Sequence, residues 1–566
     1  MHYVKKSLSC ALLIIIMVIG FALAGTIQVS AEAPGVIIII DSDTTWTKAD
    51  SPHILTGPVF VSNGATLTIE AGATVDLNSY YLLVNGTLRV LGRSSEQVYI
   101  DNGEKIEFTR YSNAWSESDF GCILEHADIR STVTLKVASP KINNCIINRI
   151  ILLGHSSPLI SNNNVGSIIL EGNGSPLISN NNVGSIALGQ NNIICGTPTI
   201  SNNVISRIGS DIEMRIISLA GAGSPTISHN VINGEFPSGD LKLAANSPII
   251  SNNVVVDGEI SVVAVSPVIT NNVVNGSVEV KGCEGSLVVS NNTLTLRSRV
   301  IDSGVWILPN PTVWYIGIFI DGNNKLVDAL ISENTISGGS SGIKLSNLLG
   351  SVTIERNVIR NNIDDGITVE ANINLTIVGN VIHQNSDNGI KDYWGKANMI
   401  IRNNTITNNS HGITDPGPAI IERNFISNNN VGLDLSSQAT VQNNTITNND
   451  VAIRLNYCPS AKINYNNIEN YGEKSIYLLT SSNVDATNNW WGTTDTQAIN
   501  LTIHDYKYDL GLSKVNFTPF LTEPNPEATS DPIPEFPSWL LLPLFLVATF
   551  AVVAVRQKIV GGNCTG

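Results

Sequence analysis

One short phrase returns along the chain and limits what it can fold into. Ser157-Pro158-Leu159-Ile160-Ser161-Asn162-Asn163-Asn164-Val165 recurs as Ser175-Pro176-Leu177-Ile178-Ser179-Asn180-Asn181-Asn182-Val183, with looser copies at Ser247–Val255 and Ala439–Ile446. Its core is an aliphatic residue, two variable residues, an Asn, one variable residue and a second aliphatic residue. The Asn falls at Asn163, Asn181, Asn203, Asn230, Asn253, Asn272, Asn292, Asn334, Asn357, Asn380, Asn404, Asn424, Asn444, Asn466 and Asn489. Most steps lie near the low twenties. The step of 42 from Asn292 to Asn334 reads as two repeats with one unreadable copy between them. Such a period defines a solenoid, in which each repeat buries its apolar face only against its neighbours.

Ile, Val and Thr fill the apolar positions, and β-branched side chains suit a pleated strand. Runs of three to five residues end at Asn-Asn, Asn-Gly or Gly-Ser, as at Asn275-Gly276-Ser277. Asn and Gly tolerate the left-handed backbone of a sharp corner. No apolar stripe at helical spacing runs through the repeats, so they are β. Stacked strands lie ~4.8 Å apart, which places the recurrent Asn in one column. An amide has both donors and an acceptor, so the column can bond to itself as an internal ladder. Cys145 occupies this position one repeat earlier, in Lys141-Ile142-Asn143-Asn144-Cys145. A thiol cannot continue the bonding, so the ladder is expected to begin one coil later.

A leucine-rich horseshoe has a similar period but needs Leu-rich or helix-forming outer stretches, which are absent. A calcium-binding β-roll needs Gly-Gly-x-Gly-x-Asp repeats, and none occurs. With these residues in view, the chain resembles the right-handed parallel β-helix repeat proteins, the broad pectate-lyase-like family, over about residues 50–520. It is most similar to their surface-protein branch. The resemblance implies an all-β, single-stranded right-handed parallel β-helix and leaves the activity open.

The ends add further expectations. Lys5 and Lys6 precede an apolar run from Leu8 to Leu23, with small residues at Ala24 and Ala31, which reads residues 1–31 as an export signal. Residues 32–130 read as a cap, including the apolar run Val36 to Ile40, followed by the opening coils. Residues 131–492 are the repeats. Asn488-Asn489-Trp490-Trp491-Gly492 keeps the ladder Asn but adds two large aromatics, which suits plugging an open end. Residues 493–522 read as an irregular closing segment and 523–537 as a Pro-rich linker. Residues 538–555 read as a transmembrane helix, and 556–566, with Arg556 and Lys558, as a cytoplasmic tail. Pro534-Glu535-Phe536-Pro537 before the apolar run resembles the C-terminal anchoring tags of archaeal surface proteins. The expected location is the cell surface, with the chain exported and held in the membrane by its C-terminal helix.

The formal net charge of −15 argues against nucleic acid as a partner. Cys122, Cys145, Cys195, Cys283 and Cys458 form no Cys-x-x-Cys, and buried thiols in coil columns are the expectation, although Cys122 and Cys145 could pair from adjacent coils. The family resemblance also includes a periplasmic protein of copper-site maturation. The eight His are scattered and the four Met include the initiator, so no metal or cofactor is expected.

Glycosidic hydrolysis needs two nearby carboxylates. Asp364-Asp365-Gly366 followed by Ser410-His411-Gly412 resembles part of the polygalacturonase pattern, which makes Asp364, Asp365 and His411 the catalytic candidates. The Asn-Thr-Asp and Arg-Ile-Lys signatures of that family are missing. Gly366, Gly389, Gly412 and Gly432 fall in one column before Ile or Leu, so the repeat accounts for both motifs without chemistry. The following outward column reads Lys344, Thr368, Lys391, Thr414, Asp434, Arg454 and Tyr477. Lys391, Asp392, Tyr393, Trp394, Asp434 and Arg454 are the candidate ligand-binding residues for a glycan along the coil axis. An insertion with Trp306, Trp314 and Tyr315 is a second aromatic candidate. The expected function is non-catalytic binding of polysaccharide or cell-envelope glycan, or an adhesive envelope role. A polysaccharide lyase or glycoside hydrolase with a divergent site is the alternative.

Overall fold

Short β-branched runs joined by left-handed corners wind into a right-handed parallel β-helix. The computed structural model describes residues 36–528 apart from 119, 189–195, 207–216, 222, 234–240, 297–298, 301–311, 314 and 459–460. A typical winding has a first strand at Ala419–Glu422, a second at Phe425–Ser427 and a third at Val431–Leu435. The next winding repeats them at Ala439–Gln442, Thr445–Thr447 and Val451–Leu455. Parallel pairing sets Ile421 beside Val441, Ile426 beside Ile446 and Leu433 beside Ile453. Three lengthwise faces result, called first, second and third here in strand order. Ile421, Ile426, Leu433 and their stacked counterparts point inward and are fully buried. Each such side chain contributes about 1.5–3 kcal/mol when removed from water.

The corner between first and second faces uses two adjacent residues. Asn162, Asn180, Asn202, Asn252 and Asn443 take φ of +53° to +58° or close to it, and each stands immediately before a ladder Asn. The ladder residues Asn163 through Asn489 are buried, with at most 3% of each exposed. Each of the first fourteen donates from Nδ2 to Oδ1 of the next, at 2.9–3.0 Å. Cys145 sits at the head of the column, where its N–H donates to Asn163 Oδ1 at 2.8 Å. The amide-to-amide bonding starts one coil later, as expected.

Three features differ from the sequence reading. Asn292 bonds directly to Asn334 at 3.0 Å, so the 42-residue step is one winding carrying an insertion, not two repeats. Ile38–Ile40 and Thr44–Trp46 pair with Val59–Val61 and Thr66–Glu70, so the expected cap is itself part of the first winding. The closing segment is more regular than expected. It holds a helix at Thr496–Thr502, capped by Asp495, and strands that pair Ile503 with Ile476 and Val515 with Val484. Cys122 and Cys145 are, as expected, buried thiols and do not pair; burial pushes them up to about 11 and about 12.

Trp491 is buried and meets Phe517 edge-on, with ring centroids 6.4 Å apart, at the expected closing position. Cys195, Trp306, Trp314, the export signal and the apolar C-terminal run lie outside the described residues. Among the described residues, no helix is long and apolar enough to cross a membrane.

Candidate functional site

The third face carries the candidate site, and strand register assembles it. Lys344 stands beside Thr368, then Lys391, Thr414, Asp434, Arg454 and Tyr477 in unbroken succession. The preceding Gly column is imposed by packing. A Cβ on Gly366, Gly389 or Gly412 would lie 2.4–2.6 Å from the carbonyl oxygen of the next Gly in the column. This close approach explains the Asp-Gly and His-Gly motifs without chemistry.

The column is less exposed than its outward direction implies. Thr368, Thr414 and Asp434 are buried, as are the neighbouring Asp365 and Asn388. They are occupied by one another. Thr368 Oγ1 donates to Asp365 Oδ2 at 3.0 Å, Asn388 Nδ2 to Asp365 Oδ1 at 2.7 Å, and Thr414 Oγ1 to Asn388 Oδ1 at 2.6 Å. Further along, Asn456 Nδ2 donates to Asp434 Oδ1 at 2.6 Å and Arg454 Nη2 bonds Asp434 Oδ2. A fixed hydrogen-bonded floor therefore runs across these windings.

Asp392 is not a presented ligand group, which corrects the sequence reading. Its buried carboxylate accepts the N–H of Trp394 and of Ala397, each at 3.0 Å, and thereby folds residues 393–397 into a projecting loop. That loop holds Tyr393 at 52% and Trp394 at 46% exposure. Lys391 Nζ lies 4.4 Å from the Tyr393 ring centroid and Lys396 Nζ 5.9 Å from that of Trp394. Both distances are within cation–π range.

The three catalytic candidates do share this face, with different surroundings. Asp365 has both oxygens engaged in the floor. Asp364 and Asp387, on adjacent windings, present their carboxylates more openly: the Asp387 N–H bonds Asp364 O at 2.9 Å, and the Asp387 side chain is 49% exposed. Partial burial, then the charges of Asp365 and Asp387, raise the Asp364 carboxyl above its ordinary value. Burial and the same carboxylates push the Tyr393 phenol up to about 12.

His411 Nε2 lies 3.1 Å from Arg454 Nη2 and therefore accepts from the guanidinium. Its Nδ1 is 3.9 Å from Asp387 Oδ1. Burial first, and Arg454 second, lower the His411 pKa, so the ring is held neutral.

Sequence reasoning passed over Asp387, Asn388 and Asn456. It also passed over a second amide ladder, Asn362, Asn385, Asn409, Asn429 and Asn449, which borders this face. Its Nδ2-to-Oδ1 bonds measure 2.8–3.3 Å. Each member follows a main-ladder Asn by five residues, so the spacing was available in the sequence. Tyr315 of the second aromatic candidate is partly buried and packs against the core. Among the described residues, no three His, Cys, Asp or Glu side chains group as a metal site.

Residues 288–417 and 413–506, which include the column from Lys344 to Tyr477, match the family described as "Right handed beta helix region". No curated protein and no solved structure matches the chain.

Proposed function

We propose that the protein binds a polysaccharide along its third face and does not cut it. The observation that carries this reading is the pair Tyr393 and Trp394, held half-exposed beside a fixed polar floor. Aromatic rings offer an apolar face to a sugar ring, and neighbouring fixed donors and acceptors orient its hydroxyls. The basic groups of Lys391 and Lys396 beside the rings favour an acidic or hydroxyl-rich glycan. The Lys5-Lys6 and Leu8–Leu23 sequence supports export, and the uncharged run Trp539 to Val555 followed by Arg556 supports anchorage at the cell surface.

A second reading, hydrolysis or elimination by a divergent site, is favoured by the raised Asp364 carboxyl beside Asp387. Incubation with acidic and neutral polysaccharides distinguishes the two. The binding reading predicts retention of polymer at unchanged chain length, abolished when Tyr393→Ala and Trp394→Ala are combined. New reducing or unsaturated ends, lost in Asp364→Asn, would replace it with the enzymatic reading. Unchanged retention in the double variant would remove the loop from the site.

A further inference from the structure

Residues 521–528 do not run on past the C-terminal end of the solenoid. After the Leu521 N–H bonds Asn489 O at 3.0 Å, the backbone turns back along the corner between the first and second faces. The Asn525 N–H donates to Asn467 Oδ1 at 2.7 Å, while its Nδ2 donates to Asn443 Oδ1 at 3.0 Å and to the Tyr465 carbonyl at 2.5 Å. Glu527 then pairs with Arg423 at 3.6 Å, and Ala528 is buried. Asn488, Tyr465, Asn443 and Arg423 are the corner residues of four successive windings. The strap therefore climbs three steps, roughly 14 Å at ~4.8 Å each, back toward the N-terminus. The uncharged run from Trp539 begins only eleven residues beyond Ala528.

The same flank carries a second peculiarity. Seven successive first-corner-second segments, Ser157–Val165, Ser175–Val183, Thr197–Ser206, Ser224–Asn233, Ser247–Val256, Ser266–Val274 and Ser286–Thr295, contain no Asp, Glu, Lys or Arg. Charges of these windings such as Glu171, Lys242, Glu259, Glu279 and Lys281 sit on or beside the third strands. Leu177 and Ile249 stand 43% and 44% exposed on the uncharged flank. In a chain of net charge −15, that flank is the side which an anionic bilayer repels least.

We infer that the solenoid lies lengthwise on its own membrane, first-second corner down, with the third face turned outward. The inference rests on the anchored reading above and adds an orientation to it. The strap places Ala528, the last described residue before the tether, on the first-second corner; the uncharged panel occupies the same corner nearer the N-terminus, beyond windings with Glu333 and Arg356 at that corner, and the candidate glycan face lies across the core from both.

The test uses the full chain reconstituted in phosphatidylcholine vesicles carrying a headgroup nitroxide. A fluorescent amino acid replaces either Ile249 or Lys391. The orientation predicts quenching at position 249 and its loss at position 391, with the contrast abolished in a variant combining Asn525→Ala and Glu527→Lys. Equal quenching, or none at either position, in protein that floats with the vesicles would overturn the orientation alone. Shielding of position 249 from an aqueous quencher without nitroxide quenching would assign the panel to a second copy of the chain, and would also overturn it. Protein that fails to float would overturn the anchored reading, and the orientation with it.

Discussion

Each first-second corner assigns two adjacent residues different physical tasks. The first takes the left-handed backbone, and the second closes the ladder. Asn is good at both, which is why Asn-Asn recurs and why the ladder was legible from sequence alone. The left-handed position was less legible, because His229, Glu333, Arg356, Arg423 and Tyr465 also occupy it at φ of +52° to +61°. A side chain there is strained by about 1–2 kcal/mol relative to Gly or, in part, Asn. Tyr465→Asn is therefore expected to raise stability by about 1 kcal/mol in urea unfolding. Asn424 is fully buried, donates to Asn444 Oδ1 and to the Ile401 and Glu422 carbonyls, and accepts from Asn404. Asn424→Ala leaves these groups unpaired and should cost roughly 3 kcal/mol, seen as a lower urea midpoint. A loss below about 1 kcal/mol would show the ladder amide to be dispensable. His411 gives a pH signature. Its folded pKa is lowered below 6.5, so the unfolded chain binds the extra proton as pH falls through that value. Stability should decline from pH about 7 to about 5.5, and His411→Gln should flatten that part of the profile.

Elements decide which of the sequence-level candidates become a surface. The loop 393–397 exists because Asp392 gathers its backbone amides, so a residue read as a ligand is a loop builder. Asp392→Ala should leave the cooperative unfolding of the solenoid in place yet lose glycan retention nearly as fully as removal of both aromatic rings. Retained binding, measured by affinity electrophoresis, would show that the rings need no such support. The column from Lys344 to Tyr477 was readable because register follows the repeat. Its burial was not, because that depends on contacts between windings such as His411 with Arg454, 43 residues apart. The 42-residue step was misread for a similar reason. An insertion carries no phrase, and the strands after it lengthen to Ile318–Ser332 and Ile343–Glu355, so length alone imitates a missing repeat. The second ladder was masked by the abundance of Asn at the corners, although its offset of five residues is regular.

Across the whole molecule, chemistry is divided by face. The first-corner-second segments of the windings from Ser157 to Thr295 are uncharged, while charges of these windings such as Glu171, Lys242, Glu259, Glu279 and Lys281 sit on or beside the third strands. The strand and corner system spans the solenoid, the ladder runs from Asn163 to Asn489, and Trp491 with Phe517 and the closing helix finish one end. The proposed binding face would offer a glycan positions one winding apart, at ~4.8 Å, along the column from Lys344 to Arg454. Calorimetric titration with an oligosaccharide series of increasing length tests that claim most directly. Affinity for the wild-type chain should climb with each added sugar until the ligand spans the column from Lys344 to Arg454, then level off. Equal affinity for a single sugar and the longest oligomer would contradict a lengthwise glycan site.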